Sequence, residues 1–236
     1  MITEEVINNI KSHSNKDYVK WLSPLLQVTE GSYGENDKLY GVKVPVLRKI
    51  AKQYYDMELS DVETLLHDDY HEVRLTALFI LIHQYKNNRH IQEKILKLYL
   101  KNADYINNWD LVDLSAPNIL GDYIYNHQTR LNILYNLSNS KHLWKERIAI
   151  VSTQYLIKNG FYEPTIKLSE KYLTHPHHLI HKAVGWMLRE LGKKDLQELY
   201  SFLDKFAQYM PRVMLRYSIE RLPKEDREYY LSKRNK

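Results

Sequence analysis

The sequence predicts an all-α protein, and three observations carry that prediction. Nearly every segment places its apolar residues three and four apart, as one face of a helix does. Only seven glycines and seven prolines interrupt 236 residues, too few for the many tight turns of an all-β fold. A basic residue followed closely by a small one recurs at intervals near 35 residues. No segment alternates convincingly in the manner of a strand.

Taken in order, the first amphipathic segments are 2–12 and 16–26. The third, 45–56, has Pro45 in its first turn, where a missing N–H costs nothing. Ser60 is placed to cap the fourth, 60–67. The pattern then marks 71–86, 90–103, 109–126 and 129–138. Segment 142–158 is followed by Gly160, a candidate C-terminal cap. After 162–173 comes 177–192, with Gly192 in the same capping role. The last two segments are 195–208 and 211–221, and Pro211 opens the final one. The basic tail Lys233, Arg234, Asn235 and Lys236 reads as a frayed terminus.

The repeat sharpens the fold class. Arg74 with Ala77, Arg147 with Ala149, Lys182 with Ala183 and Arg216 with Ser218 occupy equivalent slots. Lys182 lies 35 residues after Arg147, and Arg216 lies 34 after Lys182. Arg74 lies 73 before Arg147, about two periods, and the middle of that gap falls near Asn108–Asp113. Asp113 therefore takes a slot that elsewhere holds a base. Such a period predicts an α-solenoid of the HEAT or armadillo type, with about six helix pairs in one domain over residues 1–236. Equivalent slots line one concave face. Arg147 and Lys182, joined by Arg74 and Arg216, would make that groove basic, with Asp113 interrupting it.

Composition narrows the class further. Cysteine is absent, so there is no disulfide framework, no thiolate zinc site and no thiol nucleophile. That usage, with no apolar run of membrane length, predicts a soluble cytoplasmic protein. A net charge of +5 is compatible with a polyanionic partner without requiring one. A monomer is the simplest expectation.

Residues 107–113, Asn-Asn-Trp-Asp-Leu-Val-Asp, hold the strongest local signal. Trp109 and Asp113 stand four apart and share one helix face. An aromatic plate beside a carboxylate suits a sugar-like group held next to negative charge, as the breaking of a glycosidic bond requires. A plainer account stands beside it: Trp109 in the core, Asp110 or Asp113 capping or solvating the helix. Arg147 likewise either serves a ligand or pairs with Asp113 across neighbouring repeats. Trp186 stands four after Lys182, which adds a second aromatic near a marked slot. Trp144, three before Arg147, reads as packing. His175, His177 and His178 have a metal-like spacing, but they fall in a turn with no cysteine or paired carboxylate to complete a site. No Gly-rich phosphate loop is present. No metal or cofactor is expected.

Five ordered blocks then point to a family. They are YGENDKLYGVKVPVLR at 33–48, NNWDLVDLSAP at 107–117, WKERIAI at 144–150, HLIHKAVGWMLRE at 178–190 and MPRVMLRYSIE at 210–220. With this order and spacing the chain resembles the AlkD-like DNA alkylation repair family, the HEAT-like-repeat DNA glycosylases, over almost its whole length. The resemblance implies excision of cationic alkylpurines, such as 3-methyladenine and 7-methylguanine, from duplex DNA. It implies Asp113 as the key acid, Trp109 and Trp186 as sugar-facing aromatics, and Arg147 as a phosphate-binding and catalytic residue. Lys43 and Arg48 would hold the duplex backbone, with Lys182 and Arg189 of the 178–190 block as further contacts. One departure is visible. The residues just before Pro45, polar in the best-known members, are here Lys43 and Val44.

The implied chemistry is economical. An alkylpurine already carries positive charge, so it leaves neutral without a general acid, and one carboxylate suffices where glycoside hydrolysis ordinarily uses two. No lysine is placed as a Schiff-base nucleophile, which favours a monofunctional glycosylase over a lyase. The competing expectation is a non-catalytic HEAT-repeat scaffold that binds DNA, branched or distorted, or protein.

Overall fold

A computed structural model describes residues 1–233 of the chain. Arg234, Asn235 and Lys236, most of the tail read as frayed, lie outside the described residues. The fold is all-helical. Apart from one isolated parallel bridge between Lys38 and Tyr70, no strand pairing occurs among the described residues. No helix among them is long and apolar enough to cross a membrane.

The chain divides into two compact units, Met1–Ser115 and Ala116–Lys236. The first contains α1 (Ile2–Ser12), α2 (Lys16–Leu26), α3 (Val44–Ala51), α4 (Leu59–Leu66), α5 (His71–Asn87), α6 (Gln92–Lys101) and α7 (Trp109–Ser115). Helix α5 is buried nearly all round, and α1, α3, α4, α6 and α7 pack against it. Its first turn buries three ionisable residues, His71, Glu72 and Arg74. Asn15 caps α2, its side chain accepting from the N–H groups of Asp17 and Tyr18 at 3.0 and 2.9 Å.

The 27–43 loop is held by that same first turn. The Glu72 carboxylate accepts from the backbone N–H groups of Tyr40, Gly41 and Val42 at 3.1, 2.7 and 3.2 Å. Gly41 is at φ +78°, and a Cβ there would meet the carbonyl oxygen of Asn15. The 33–48 block thus fixes the entry to α3 as much as it presents any side chain.

The second unit begins with a π turn, Pro117–Gly121, followed by α8 (Asp122–Asn126), α9 (Asn132–Ser138), α10 (Leu143–Lys158) and α11 (Glu163–Lys171). Then come α12 (His178–Gly192), α13 (Leu196–Phe206), α14 (Arg212–Ser218) and α15 (Lys224–Ser232). Helices α10, α12 and α14 lie side by side, as α3, α5 and α7 do in the first unit. These successive layers are what helical repeats produce. Gly185 lets α14 approach α12: a Cβ there would lie 2.5 Å from both the Met214 carbonyl oxygen and Tyr217 Cβ.

Several local expectations need correction. The 109–126 segment is not one helix. Pro117 has no N–H to continue an α-helical ladder, and the chain forms a π turn in which Gly121 N–H donates to Ala116 O at 2.9 Å. Ser60 does not cap α4; Glu58 takes that position with no side-chain bond. Gly192 is the last residue of α12 rather than a cap, and its missing Cβ makes room for Leu199. Gly160 does follow α10 in the left-handed conformation, at φ +80°. Helix α15 was not expected at all.

Candidate active site

The sequence-derived candidates are divided between the units. Trp109 and Asp113, with Lys43 and Arg48, belong to the first; Arg147, Lys182, Trp186 and Arg189 belong to the second.

In the first unit, α7 is only seven residues long, too short to be stable alone. Polar contacts to two other helices, α2 and α5, fix where it starts. Asn108 accepts the Trp109 N–H at 2.8 Å and donates through Nδ2 to Leu26 O at 3.0 Å. The Trp109 indole N–H donates to Leu25 O at 3.3 Å. Both carbonyls belong to the last turn of α2, where helical partners run out. The same bonds therefore finish α2 and set the rotamer of Trp109. The indole is half-buried, and Asp113, one turn on, is also half-buried.

Asp110 is committed elsewhere. It accepts from His71 Nε2 at 2.8 Å, while His71 Nδ1 meets Asp37 at 3.1 Å. A neutral imidazole has one N–H, so two carboxylates on its two nitrogens require the imidazolium. Burial opposes that charge, but Asp110 and Asp37 more than offset it and push the His71 pKa up to about 9. Arg74 donates to Asp37 at 2.6 Å, to Asn107 at 3.1 Å and to the Asp68 carbonyl at 2.8 Å. Although burial works the other way, these bonds lower the Asp37 pKa, with His71 acting first and then Arg74. Within this network two cations, His71 and Arg74, meet two carboxylates, Asp37 and the partly exposed Asp110. Arg74 thus leaves the basic groove expected from its repeat slot, because a 4 % exposed guanidinium holding a carboxylate serves the fold. Asp110 neither caps nor merely solvates its helix, because its carboxylate is spent on His71, and Trp109 is half-buried rather than a core residue.

Sequence reading missed His71, Asp37 and Asp110 as a set. Their partners lie 34 and 39 residues apart, and no periodicity links them. Behind α7, the Tyr99 hydroxyl meets Ser115 at 2.9 Å. Burial raises the Tyr99 pKa, and the negative charge of Asp113 adds to the rise. Lys43 and Arg48 are both exposed on α3 and its cap. Lys43 Nζ lies 5.8 Å over the Tyr18 ring and the Arg48 guanidinium 4.3 Å over Phe79.

In the second unit, Arg147 is 5 % exposed and donates to Leu179 O at 2.7 Å, at the start of α12. Basic side chains and histidines gather there, with Glu146 among them. The His177 pKa is lowered by burial, then by His178, His175, His181 and Arg147. The His178 pKa is lowered by burial, then by Lys182, His181 and Arg147. The histidine run that looked metal-like is employed in local bonds. His175 meets Glu146 at 3.0 Å, and His177 Nδ1 accepts the Leu179 N–H at 3.1 Å. Trp186 is half-buried and its indole donates to Glu190 at 3.2 Å. Arg189 is held by ion pairs with Glu220 and Glu190. Trp144 is buried, as its packing role requires.

Residues 4–222 match the model of a protein family described as DNA alkylation repair enzyme. A solved structure described as a predicted DNA alkylation repair enzyme from Enterococcus faecalis is similar, with a TM-score of 0.71 and 16 % sequence identity. The match covers 90 % of this chain and 98 % of that one. At that identity the likeness is one of fold. No curated protein matches the chain.

Proposed function

Because this chain belongs to the DNA alkylation repair enzyme family, we propose that it is a monofunctional DNA glycosylase. It would act as a cytoplasmic monomer on duplex DNA, hydrolysing the N-glycosidic bond of 3-methyladenine, 7-methylguanine and related cationic purines. One observation carries this reading. Trp109 is locked in place by its indole N–H on Leu25 O, one turn from a half-buried Asp113 on the same helix. A fixed aromatic face beside a carboxylate suits a deoxyribose that gains positive charge.

When the bond from C1′ to nitrogen breaks, its electron pair returns to the alkylated base, which departs neutral. The sugar is left oxocarbenium-like. The Asp113 carboxylate stabilises that charge and accepts the proton of the water that adds to C1′. Trp109 and Trp186 offer ring faces whose attraction for the sugar grows as its charge grows. Arg147, beside the histidines and Lys182 of α12, holds a backbone phosphate. Lys43, Arg48, Lys182 and Arg189 contribute further backbone contacts, and Arg189 would first exchange Glu220 for phosphate.

The burial of Arg147 favours a second reading, a HEAT-repeat scaffold that binds DNA or protein without catalysis. The two readings part on one experiment. Release of 7-methylguanine from a methylated duplex is expected from the wild type, falling at least about a hundredfold in Asp113→Asn with the melting temperature unchanged. Duplex binding with no release by either protein selects the scaffold.

A further inference from the structure

Trp21 plays no part in the catalytic reading, yet it is 60 % exposed, and Leu25 one turn along α2 is 45 % exposed. The Trp21 ring stacks on Tyr18, with centroids 5.2 Å apart and planes 16° apart. Lys43 Nζ sits 5.8 Å over that same Tyr18 ring. At its far end the ridge reaches the candidate active site, because the Leu25 carbonyl is the acceptor for the Trp109 indole. An exposed indole stacked on a half-buried phenol ring, with a cation beside it, is a costly surface for water and a good one for nucleobases.

We infer that Tyr18 and Trp21 form a stacking platform for a nucleobase displaced from the duplex next to the lesion. The inference rests on the reading of the chain as a duplex-DNA binder. The ligand class follows from chemistry and spacing. Four residues of helix separate Trp21 from Leu25, a rise of about 6 Å, close to two base steps along a strand. A base unstacked beside a sugar at Trp109 is therefore within reach of the Trp21 face. Its π surface stacks on the indole without regard to sequence, and Lys43 is placed to meet the phosphate that accompanies it. A protein ligand of apolar chemistry is disfavoured by the cation over Tyr18.

The test uses the full chain and two duplexes, one undamaged and one carrying a tetrahydrofuran abasic analogue with 2-aminopurine beside it in the same strand. Wild type should bind the distorted duplex more tightly and quench the 2-aminopurine fluorescence. Trp21→Ala should lose about tenfold in affinity for the distorted duplex, within the span of one base–aromatic stack, with little change on the undamaged one. Trp21→Phe should recover most of the loss. Equal losses on both duplexes, or no loss, would overturn the platform. Because Trp21 is exposed, thermal melting of Trp21→Ala should match wild type, and a lowered melting temperature would likewise count against it. The readout is binding, so it separates from catalysis. A protein that releases no alkylpurine but shows the selective loss keeps the platform and loses the glycosylase. Release of alkylpurine with Trp21→Ala indistinguishable from wild type in both binding assays does the reverse.

Discussion

The two units hold their candidate residues by different physics. In the first, α7 is short and its register comes from charge and hydrogen bonds: Asp110 on His71, Asn107 on Arg74, Asn108 and Trp109 on the end of α2. In the second, Arg147 and Trp186 ride on helices of 16 and 15 residues whose positions come from apolar packing. Ile148, Ile150 and Val151 of α10 are fully buried, as are Ile180, Val184, Met187 and Leu188 of α12. Directional bonds can place a short helix within a fraction of an ångström, but they depend on protonation. Packing tolerates pH and responds instead to volume.

The largest expected effect tests the polar side of this contrast. His71→Leu leaves Asp37 and Asp110 facing an apolar side chain and should cost about 3–5 kcal/mol in denaturant unfolding at pH 7. A loss under about 1 kcal/mol would mean that the network does not hold α7. Next comes pH on the wild type. The His71 pKa is raised from 6.5 to about 9 on folding, so its stabilisation is complete below pH 6.5 and is lost as pH rises through 9. A fall on the order of 3 kcal/mol between pH 7 and pH 10 is expected. It should be missing from His71→Leu, so the cost of that substitution should shrink at pH 10. A smaller effect tests the packed side. Gly185→Ala forces a Cβ against Met214 and Tyr217 and should cost about 1–3 kcal/mol, by the same amount at both pH values. A strong pH dependence there would erase the distinction.

This contrast also decides what could be read from the sequence. Apolar spacing marked the buried face of α12, because packing there writes itself as a period of 3.6 residues, whereas α5 and α10 are buried over most of their surface and show as apolar runs. Polar anchoring leaves no such trace. Arg74 occupied a repeat slot and was expected in the groove, yet Asp37, 37 residues away in sequence, draws it into the interior. Pro117 did announce the break after α7, and the apolar run hid it. Helix α15 lacks a continuous apolar stripe; Pro223 before it and Glu225 and Asp226 in its first turn were the available signals. The motif at 107–113 led correctly to Trp109 and Asp113 on one helix. It could not say that Asn107, Asn108 and Asp110 are the residues holding that helix.

Glu72 has a last consequence, for how this sequence can drift. Its carboxylate grips three consecutive backbone N–H groups, at Tyr40, Gly41 and Val42. Backbone donors are common to every residue but proline, so the grip is indifferent to the letters at 40 and 42. The grip itself binds only Gly41, with its left-handed backbone against Asn15, and Glu72 to their identities, while Asp37 and Val42 are held by their own buried contacts. A loop secured in this way can exchange the letters at its exposed positions over descent and keep its path.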